Sequence, residues 1–154
     1  MPYEKRILVI DDDIGMADLL GDFCEALGFE VRCVTDGREA LRAAIQFRPH
    51  LITLDLEMPH VNGYEVLRQL RGHPATDGTP VMIVSGMVDE SRLASSRVNV
   101  KLIKPVCYAE FAKNIRGIIE RPIYILFFTA RHPHPALGGE CPLRATFPQQ
   151  GKEN

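Results

Sequence analysis

Residues 51–63 read LITLDLEMPHVNG, a run of four β-type residues that ends at Asp55 and is followed by a turn containing Pro59 and Gly63. The run is almost continuously apolar and does not alternate with charged residues. Such runs are typical of strands that are covered on both faces, as in a parallel sheet. The stretch therefore predicts that Asp55 stands at the carboxyl end of a buried strand.

Three more β-type runs end in charged or hydroxyl residues. The run 7–10 is followed by Asp11-Asp12-Asp13, the run 81–84 by Ser85, and the run 100–103 by Lys104-Pro105. Ligand sites in parallel α/β sheets lie in the crevice at the carboxyl ends of the strands. We therefore expect these residues, which are far apart in sequence, to meet Asp55 in one pocket.

Helical patterns separate the runs. The strands are expected at about 6–11, 30–35, 51–55, 81–85 and 99–103. The helices are expected at about 14–27, 38–47, 64–71, 90–96 and 107–120, where apolar residues recur at three- and four-residue spacing. In the first helix this spacing puts Ile14, Ala17 and Leu20 on the inward face. Five alternating strands and helices predict an α/β fold, a doubly wound five-stranded parallel sheet with helices on both faces.

The chain has 154 residues, of which 45% are hydrophobic and 25% are charged. This size predicts one domain, which we place at 1–121, and a C-terminal extension at 122–154. The extension is rich in proline and is expected to be irregular, apart from one apolar run at 123–128 that could form an extra strand.

Charge and cysteine content limit the expected partners and location. The formal net charge is −2 and no basic run is present, so we expect no binding to nucleic acid or to an anionic membrane surface. The apolar run at 123–128 is too short for a membrane span, which needs ~20 residues. The four cysteines form no C-x-x-C pair and no signal peptide is visible, which favours a cytoplasmic location.

The residues at the strand ends predict a particular chemistry. Carboxylates of Asp11, Asp12 and Asp55 at one crevice would repel one another and raise their own proton affinity. A cation usually neutralises such a cluster, and all-oxygen ligands favour Mg²⁺. A metal-neutralised carboxylate beside a lysine and a hydroxyl suits phosphoryl transfer, with Asp55 as nucleophile, Lys104 stabilising the transferring oxygens and Ser85 donating a hydrogen bond to the product.

Four segments in this order, ILVIDDD, LITLDLEMPHVNGYEVL, PVMIVSG and KLIKP, resemble the receiver domain of two-component response regulators. The resemblance covers about residues 5–121, and the stretch D-L-E-M-P-x-x-x-G from Asp55 to Gly63 is its most specific part. It implies a flavodoxin-like strand order, 2-1-3-4-5. It also implies a signalling domain that accepts a phosphoryl group. Such a domain catalyses its own phosphotransfer and dephosphorylation and is otherwise not an enzyme.

The resemblance assigns a role to each matching residue. It implies that Asp55 is the phospho-acceptor, and that Mg²⁺ is held by Asp11, Asp12 and Asp55 together with the backbone carbonyl of Glu57.

The resemblance also implies the roles of two further residues and the partners. Ser85 takes the switch position, and Lys104 pairs with the phosphoryl group, with a cis peptide bond between Lys104 and Pro105. The phosphoryl group would come from a sensor histidine kinase or a phosphotransfer protein. The output would pass to an unknown downstream target by protein–protein contact.

The chain departs from the family at several positions. Lys101 stands three residues before the conserved lysine, where the family usually has an aromatic residue that moves inward on activation. A charged side chain cannot be buried there without a large desolvation cost. The stretch from Ser85 to Lys104 is about three residues shorter than usual, so a shortened fourth helix is expected. Glu57 and Met87 occupy variable positions that tune the lifetime of the phosphoryl group.

Two other functions fit parts of the sequence. The motif Asp11-x-Asp13-x-Gly15 resembles that of haloacid-dehalogenase-type phosphatases, in which Asp11 would be the nucleophile and Asp13 a general acid. The chain is short for that superfamily, and Asp13 is also typical of a helix N-cap. The second alternative is a receiver-like interaction module that works without phosphorylation. The extension 122–154, or the face formed by the fourth helix, fifth strand and fifth helix, is a candidate homodimer contact.

Overall fold

A computed structural model of the protein describes residues 5–120. The strands are β1 (Arg6–Ile10), β2 (Glu30–Val34), β3 (Leu51–Leu54), β4 (Val81–Ser85) and β5 (Val100–Ile103). The helices are α1 (Ile14–Ala26), α2 (Ala40–Phe47), α3 (Gly63–Gly72), α4 (Glu90–Leu93) and α5 (Tyr108–Ile119), and a short 3-10 turn (Gly37–Glu39) precedes α2. None of these helices has the length and hydropathy of a membrane span. The extension 122–154, with its expected strand and homodimer contact, lies outside the described residues.

The five strands form one parallel sheet in the order β2-β1-β3-β4-β5. This confirms the predicted doubly wound α/β class and the flavodoxin-like strand order. Ile10 at the end of β1 is opposite Leu54 at the end of β3. Leu54 is in turn opposite Ile83, and Ser85 is opposite Ile103. The segments that follow β1, β3 and β5 therefore leave the sheet at the same edge.

Both faces of the sheet are covered, as the side chains of β1 show. Ile7 and Val9 pack into a buried cluster with residues of α1 and α5. Leu8 and Ile10 pack into a second cluster, on the opposite face, with residues of α2 and α3. All four side chains are buried. Coverage on both faces explains why β1 has no polar position in its buried part.

Helix α1 begins at the residue expected from its cap. The Asp13 carboxylate accepts a hydrogen bond from the Met16 N–H at 3.0 Å, which confirms Asp13 as the N-cap. The expectation that Ile14 faces inward is wrong, because this side chain is 67% exposed. Ile14 lies in the first turn, beyond the end of β1, where no sheet is left to cover it. The buried face of the helix begins with Ala17 and Leu20.

Helix α4 has only four residues, Glu90–Leu93, and is shorter than the expected helix at 90–96. Its N-cap is Asp89, whose side chain accepts a hydrogen bond from the Ser91 N–H at 3.0 Å. Leu93 is its buried residue. A single helical turn is not stable on its own, because nucleation is costly and few internal hydrogen bonds follow it. Contacts with the rest of the protein must therefore hold α4 in place.

Candidate functional site

Two buried carboxylates lie where the central strands end. Asp11 follows β1, and its backbone N–H donates to the Val34 carbonyl at 3.1 Å. Asp55 follows β3, and its backbone N–H donates to the Ile10 carbonyl at 2.9 Å. Their exposed fractions are 1% and 4%. With the half-buried Asp12 they bring three carboxylate groups together, with oxygen atoms within 4.8 Å of one another.

The ammonium group of Lys104 bridges the two buried carboxylates. Its Nζ donates to Asp11 Oδ2 at 2.7 Å and to Asp55 Oδ2 at 3.2 Å. The Lys104 backbone N–H donates to the Ser85 carbonyl at 2.9 Å, which ties this residue to the end of β4. The Lys104–Pro105 peptide bond is cis, as the family resemblance implies. Residues that follow three different strands thus contact one another, although 93 positions separate Asp11 from Lys104.

Burial and pairing act in opposite directions on these charges. Burial raises the pKa of the Asp11 carboxyl, although hydrogen bonds from Lys104 and from the Asp13 N–H partly lower it. Burial alone would lower the pKa of the Lys104 ammonium, but its hydrogen bond and charge interactions with Asp11 and Asp55 leave that pKa raised. Lys104 is therefore protonated at neutral pH, whereas the ionised form of Asp11 costs free energy in this fold.

Ser85 lies at the same edge of the sheet. It ends β4 and is fully buried, and its hydroxyl has no hydrogen-bond partner among residues 5–120. Because Leu54 pairs with Ile83, Ser85 lies beside the segment that follows Asp55. A buried hydroxyl without a partner is costly unless a ligand supplies that partner.

Glu57 lies on the open side of the crevice. Its backbone N–H donates to Asp55 Oδ1 at 3.0 Å, and its side chain is exposed. A Cβ built on Gly86 would lie 2.7 Å from Glu57 Oε2, so the carboxylate extends across to the loop after β4. The predicted use of the Glu57 carbonyl as a metal ligand remains a prediction.

Gly63 allows the loop after Asp55 to pack closely. A Cβ at this position would lie 2.2 Å from the Asp55 carbonyl oxygen and 2.4 Å from Leu56 Cα. The Gly63 N–H donates to the Leu56 carbonyl at 3.1 Å. Only glycine leaves room for the first residue of α3 against this backbone, which explains the glycine that ends the motif.

The charges of this group fit a divalent cation. Asp11, Asp12 and Asp55 bring three negative charges and Lys104 one positive charge, which leaves two negative charges to be neutralised. Mg²⁺ takes oxygen ligands and is commonly bound by one or two carboxylates, waters and substrate oxygens. Within residues 5–120 this is the one group of acidic, histidine or cysteine side chains arranged to hold an ion.

Comparisons with known proteins agree with this geometry. A family model described as the response regulator receiver domain matches residues 7–116. The DNA-binding response regulator MtrA of Mycolicibacterium paratuberculosis is 32% identical over 120 residues, which cover 76% of this chain and 52% of MtrA. The DNA-binding dual master transcriptional regulator RpaA of Synechocystis is 33% identical over 119 residues, which cover 75% of this chain and 49% of RpaA. The chain thus spans about half the length of these relatives.

Two solved structures show the same fold. The chemotaxis protein CheY4 of Vibrio cholerae superposes with a TM-score of 0.71 at 24% identity, over 75% of this chain and 99% of CheY4. The receiver domain of sensor histidine kinase PA1611 from Pseudomonas aeruginosa superposes with a TM-score of 0.70 at 24% identity, over 77% of this chain and 99% of that domain. The latter structure contains a magnesium ion coordinated in its active-site cleft.

The expectation that nucleic acid is not a partner is wrong for the proteins that this chain resembles. MtrA and RpaA are both named as DNA-binding proteins. The expectation rests on a net charge of −2 and on missing basic runs. This chain matches only about half of each relative, and its net charge says nothing about what the other half of a relative binds. The net charge therefore does not exclude nucleic acid as a partner.

Replacing Gly63 with alanine is expected to lower the free energy of unfolding by about 1–3 kcal/mol or more, because the new Cβ overlaps backbone atoms of Asp55 and Leu56. Urea denaturation measures this change. Gly72→Ala is the matched control, because Gly72 ends the same helix and a Cβ there meets no atom within 4 Å. That variant should be unchanged or more stable by up to about 1 kcal/mol. Equal effects at the two positions would contradict the role given to Gly63.

Replacing Asp11 with asparagine is expected to raise the melting temperature of the metal-free protein at neutral pH. The folded-state pKa of Asp11 is raised above its ordinary value of 3.8, so wild type loses stability as pH rises from there through the folded-state pKa. The variant has no such loss. Added Mg²⁺ should stabilise wild type more than Asp11→Asn, because it neutralises the same charge.

Thermal unfolding in a chelator and in Mg²⁺, at several pH values, measures both effects. Asp18→Asn is the control, because Asp18 is an exposed acid on α1. A lower melting temperature of metal-free Asp11→Asn at neutral pH would contradict the electrostatic account.

Proposed function

Because this chain belongs to the response regulator receiver family, we propose that Asp55 accepts a phosphoryl group from a sensor histidine kinase or a phosphotransfer protein. The observation that supports this most directly is the position of the Lys104 ammonium, which contacts both Asp11 and Asp55 in a buried crevice. A cation held against two carboxylates can stabilise negative charge that develops on a transferring phosphoryl group.

In the proposed step an Asp55 carboxylate oxygen attacks the phosphorus atom of a phosphohistidine. The O–P bond forms as the P–N bond breaks. The bonding electron pair stays on the donor's ring nitrogen, and the ring, already protonated on its other nitrogen, leaves as neutral imidazole. The Glu57 N–H, which donates to Asp55 Oδ1 at 3.0 Å, orients the carboxylate. The Lys104 Nζ lies 3.2 Å from Asp55 Oδ2. It would remain in contact with the phosphoryl oxygens during the transfer.

A divalent cation would be held by Asp11, Asp12 and Asp55, with the Glu57 carbonyl as a further proposed ligand. Mg²⁺, when bound, would supply positive charge at the phosphoryl oxygens. Asp11 and Asp12 would do no covalent chemistry themselves. The burial of Asp11 and its repulsion by Asp55 explain why a neutralising ion would be favoured at this position.

After transfer, Ser85 would donate its hydroxyl to a phosphoryl oxygen. This assignment is supported by its full burial and by the missing partner of its hydroxyl among the described residues. The domain would then return to its starting state by hydrolysis of the acyl phosphate, which we propose that the domain itself catalyses. We place this chemistry in the cytoplasm, and the names of the relatives favour control of transcription as the process that it serves.

The rival assignment, with Asp11 as the nucleophile of a phosphatase, has less support. In that motif Asp13 would serve as a general acid, but the Asp13 carboxylate is occupied as the cap of α1. The receiver-domain family model also matches residues 7–116, which include the ends of all five strands. The phosphatase motif involves only the end of β1.

Incubation with acetyl phosphate and Mg²⁺ is expected to add one phosphoryl group to the protein, located at Asp55 by peptide mass mapping after reductive trapping. Asp55→Asn should abolish the label, because an amide is not a nucleophile of this kind. Asp77→Asn is the matched control, since Asp77 is an exposed acid in the loop before β4. Label at Asp11 would favour the phosphatase, and no label at all would favour an interaction module that works without phosphorylation.

Replacing Glu57 with asparagine is expected to change the half-life of the phosphoryl group on Asp55. The Glu57 carboxylate lies at the open side of the crevice, across from Gly86, where water must enter to hydrolyse the acyl phosphate. Loss of phosphate from the purified, labelled protein measures the rate. Glu110→Asn on α5 is the matched control and should leave the rate unchanged. An unchanged half-life in Glu57→Asn would remove the proposed role of this side chain.

A further inference from the structure

His50 lies just before β3, at the edge of the sheet opposite to the acceptor crevice, and exchanges two hydrogen bonds with Arg6 of β1. The His50 backbone N–H donates to the Arg6 carbonyl at 2.7 Å. The Arg6 backbone N–H donates in return to the His50 Nδ1 at 3.0 Å. The imidazole thus extends the pairing of β1 with β3 by one residue beyond Ile7 and Leu51, the first residues that pair within the strands themselves.

The side chain of Arg6 connects a third element to this point. Its Nε donates to the Phe47 carbonyl at 2.8 Å, and its Nη2 donates to the Arg48 carbonyl at 2.9 Å. Phe47 ends α2, and Arg48 closes the helix in the left-handed conformation, with a φ of 52°, and brings a further positive charge. A guanidinium at the carboxyl end of a helix satisfies carbonyls that have no partner within the helix. Arg6 therefore links the start of β1 to the end of α2.

The hydrogen bond from Arg6 requires a neutral imidazole. A backbone N–H can donate to Nδ1 only when that nitrogen carries no proton, so the proton of neutral His50 is on Nε2. Protonation of Nδ1 would direct two N–H groups at each other and break the bond. Burial, together with the charges of Arg6 and Lys5, lowers the pKa of His50 from its ordinary value of 6.5.

The elements around His50 offer little compensation to a positively charged imidazole. The start of β1 brings Lys5 and Arg6, and both of these cations act on the charge of His50. Glu30 is opposite Arg6 on β2, but β1 separates β2 from β3. On the other side of β3 the chain enters β4 through an uncharged threonine and proline at 79–80. A protonated His50 therefore meets like charges rather than a carboxylate.

We propose that His50 is a pH-sensitive joint, which fastens the start of β1 and the end of α2 to β3 while its imidazole is neutral and releases them when the imidazole is protonated. The joint is made of His50, Arg6 and the carbonyls of Phe47 and Arg48. Because His50 precedes β3 whereas Asp55 follows it, the joint lies away from the acceptor crevice and does not rest on the proposed function.

The direction of the pH dependence follows from the lowered pKa of His50. The unfolded chain binds a proton at this residue more readily than the folded protein does, so stability rises with pH in this range. The contribution of the joint is complete above pH 6.5, the ordinary pKa, and is lost as pH falls through the folded-state pKa. Mild acidification should therefore open the joint at pH values where most carboxylates remain ionised.

Hydrogen exchange of the full chain tests the joint at the Arg6 amide. The measurement is made at about pH 7.5 and about pH 5.5, on either side of the ordinary histidine pKa, and is corrected for the intrinsic pH dependence of exchange. The protection factor of this amide is expected to fall about tenfold at the lower pH, as for the loss of one hydrogen bond. The Ile52 amide, which donates to the Pro80 carbonyl at 2.9 Å on the other side of β3, should keep its protection. Equal protection of the Arg6 amide at both pH values would overturn the joint.

His50→Asn separates the hydrogen bond from the titration. The asparagine Oδ1 can accept the Arg6 N–H from the position of Nδ1 and does not bind a proton in this pH range, so the Arg6 amide should stay protected at both pH values. His50→Phe keeps a ring without an acceptor and should give low protection at both. His60→Asn is the matched control, because His60 is an exposed histidine in the loop after β3, and it should keep the wild-type pH dependence. A wild-type pH dependence in His50→Asn would contradict the role of His50.

Nitrogen-15 NMR of the wild-type imidazole tests the joint without any substitution. Neutral His50 is expected to carry its proton on Nε2 and to titrate below 6.5. The Arg6 amide resonance should shift with the same midpoint, because its hydrogen bond is lost in the same step. A neutral His50 that is protonated on Nδ1, or an Arg6 amide that does not follow the titration of His50, would overturn the proposal.

Discussion

The contact of one ammonium with two buried carboxylates is the interaction on which the site depends. Charges in a low-dielectric crevice interact strongly, but each one is costly to bury without a partner. Lys104 makes the burial of Asp11 and Asp55 tolerable, and these carboxylates in turn keep its own pKa raised. The same three residues follow β1, β3 and β5, so the charge cluster also closes one edge of the sheet.

That edge combines several features that a purely structural core would avoid. The pKa of Asp11 is raised because burial outweighs its hydrogen bonds, and the Ser85 hydroxyl has no partner among the described residues. Gly63 is needed where a side chain would overlap the acceptor backbone. A cation would neutralise the buried Asp11 charge, and under the proposed function a phosphoryl group would give the Ser85 hydroxyl a hydrogen-bond partner. The apolar strands beneath, such as Leu51–Leu54, provide the rigid frame that holds these costly groups in place.

Most of the architecture could be predicted from the order of residues. Continuous apolar runs identify strands covered on both faces, and the four runs with polar ends indicate one shared edge. Asp13 was a predictable cap because a short acidic side chain can accept a hydrogen bond from the first turn of a helix. Local patterns were less informative where an element extends past its neighbours. Ile14 fits the apolar spacing of α1 but is exposed, because β1 ends before it.

The sequence by itself determined the fold class and the set of residues that the strands bring to one edge, because apolar periodicity and the positions of acids, glycine and proline are local properties. The strand order was implied only by the resemblance to a known family. Only the tertiary structure decided how side chains interact: that Lys104 bridges Asp11 and Asp55, that Glu57 extends across to Gly86, and that the His50 imidazole accepts the Arg6 N–H. Such contacts join residues from different elements, and their distances and burial depend on how the elements pack. Short stretches of sequence do not specify how the helices and strands pack against one another.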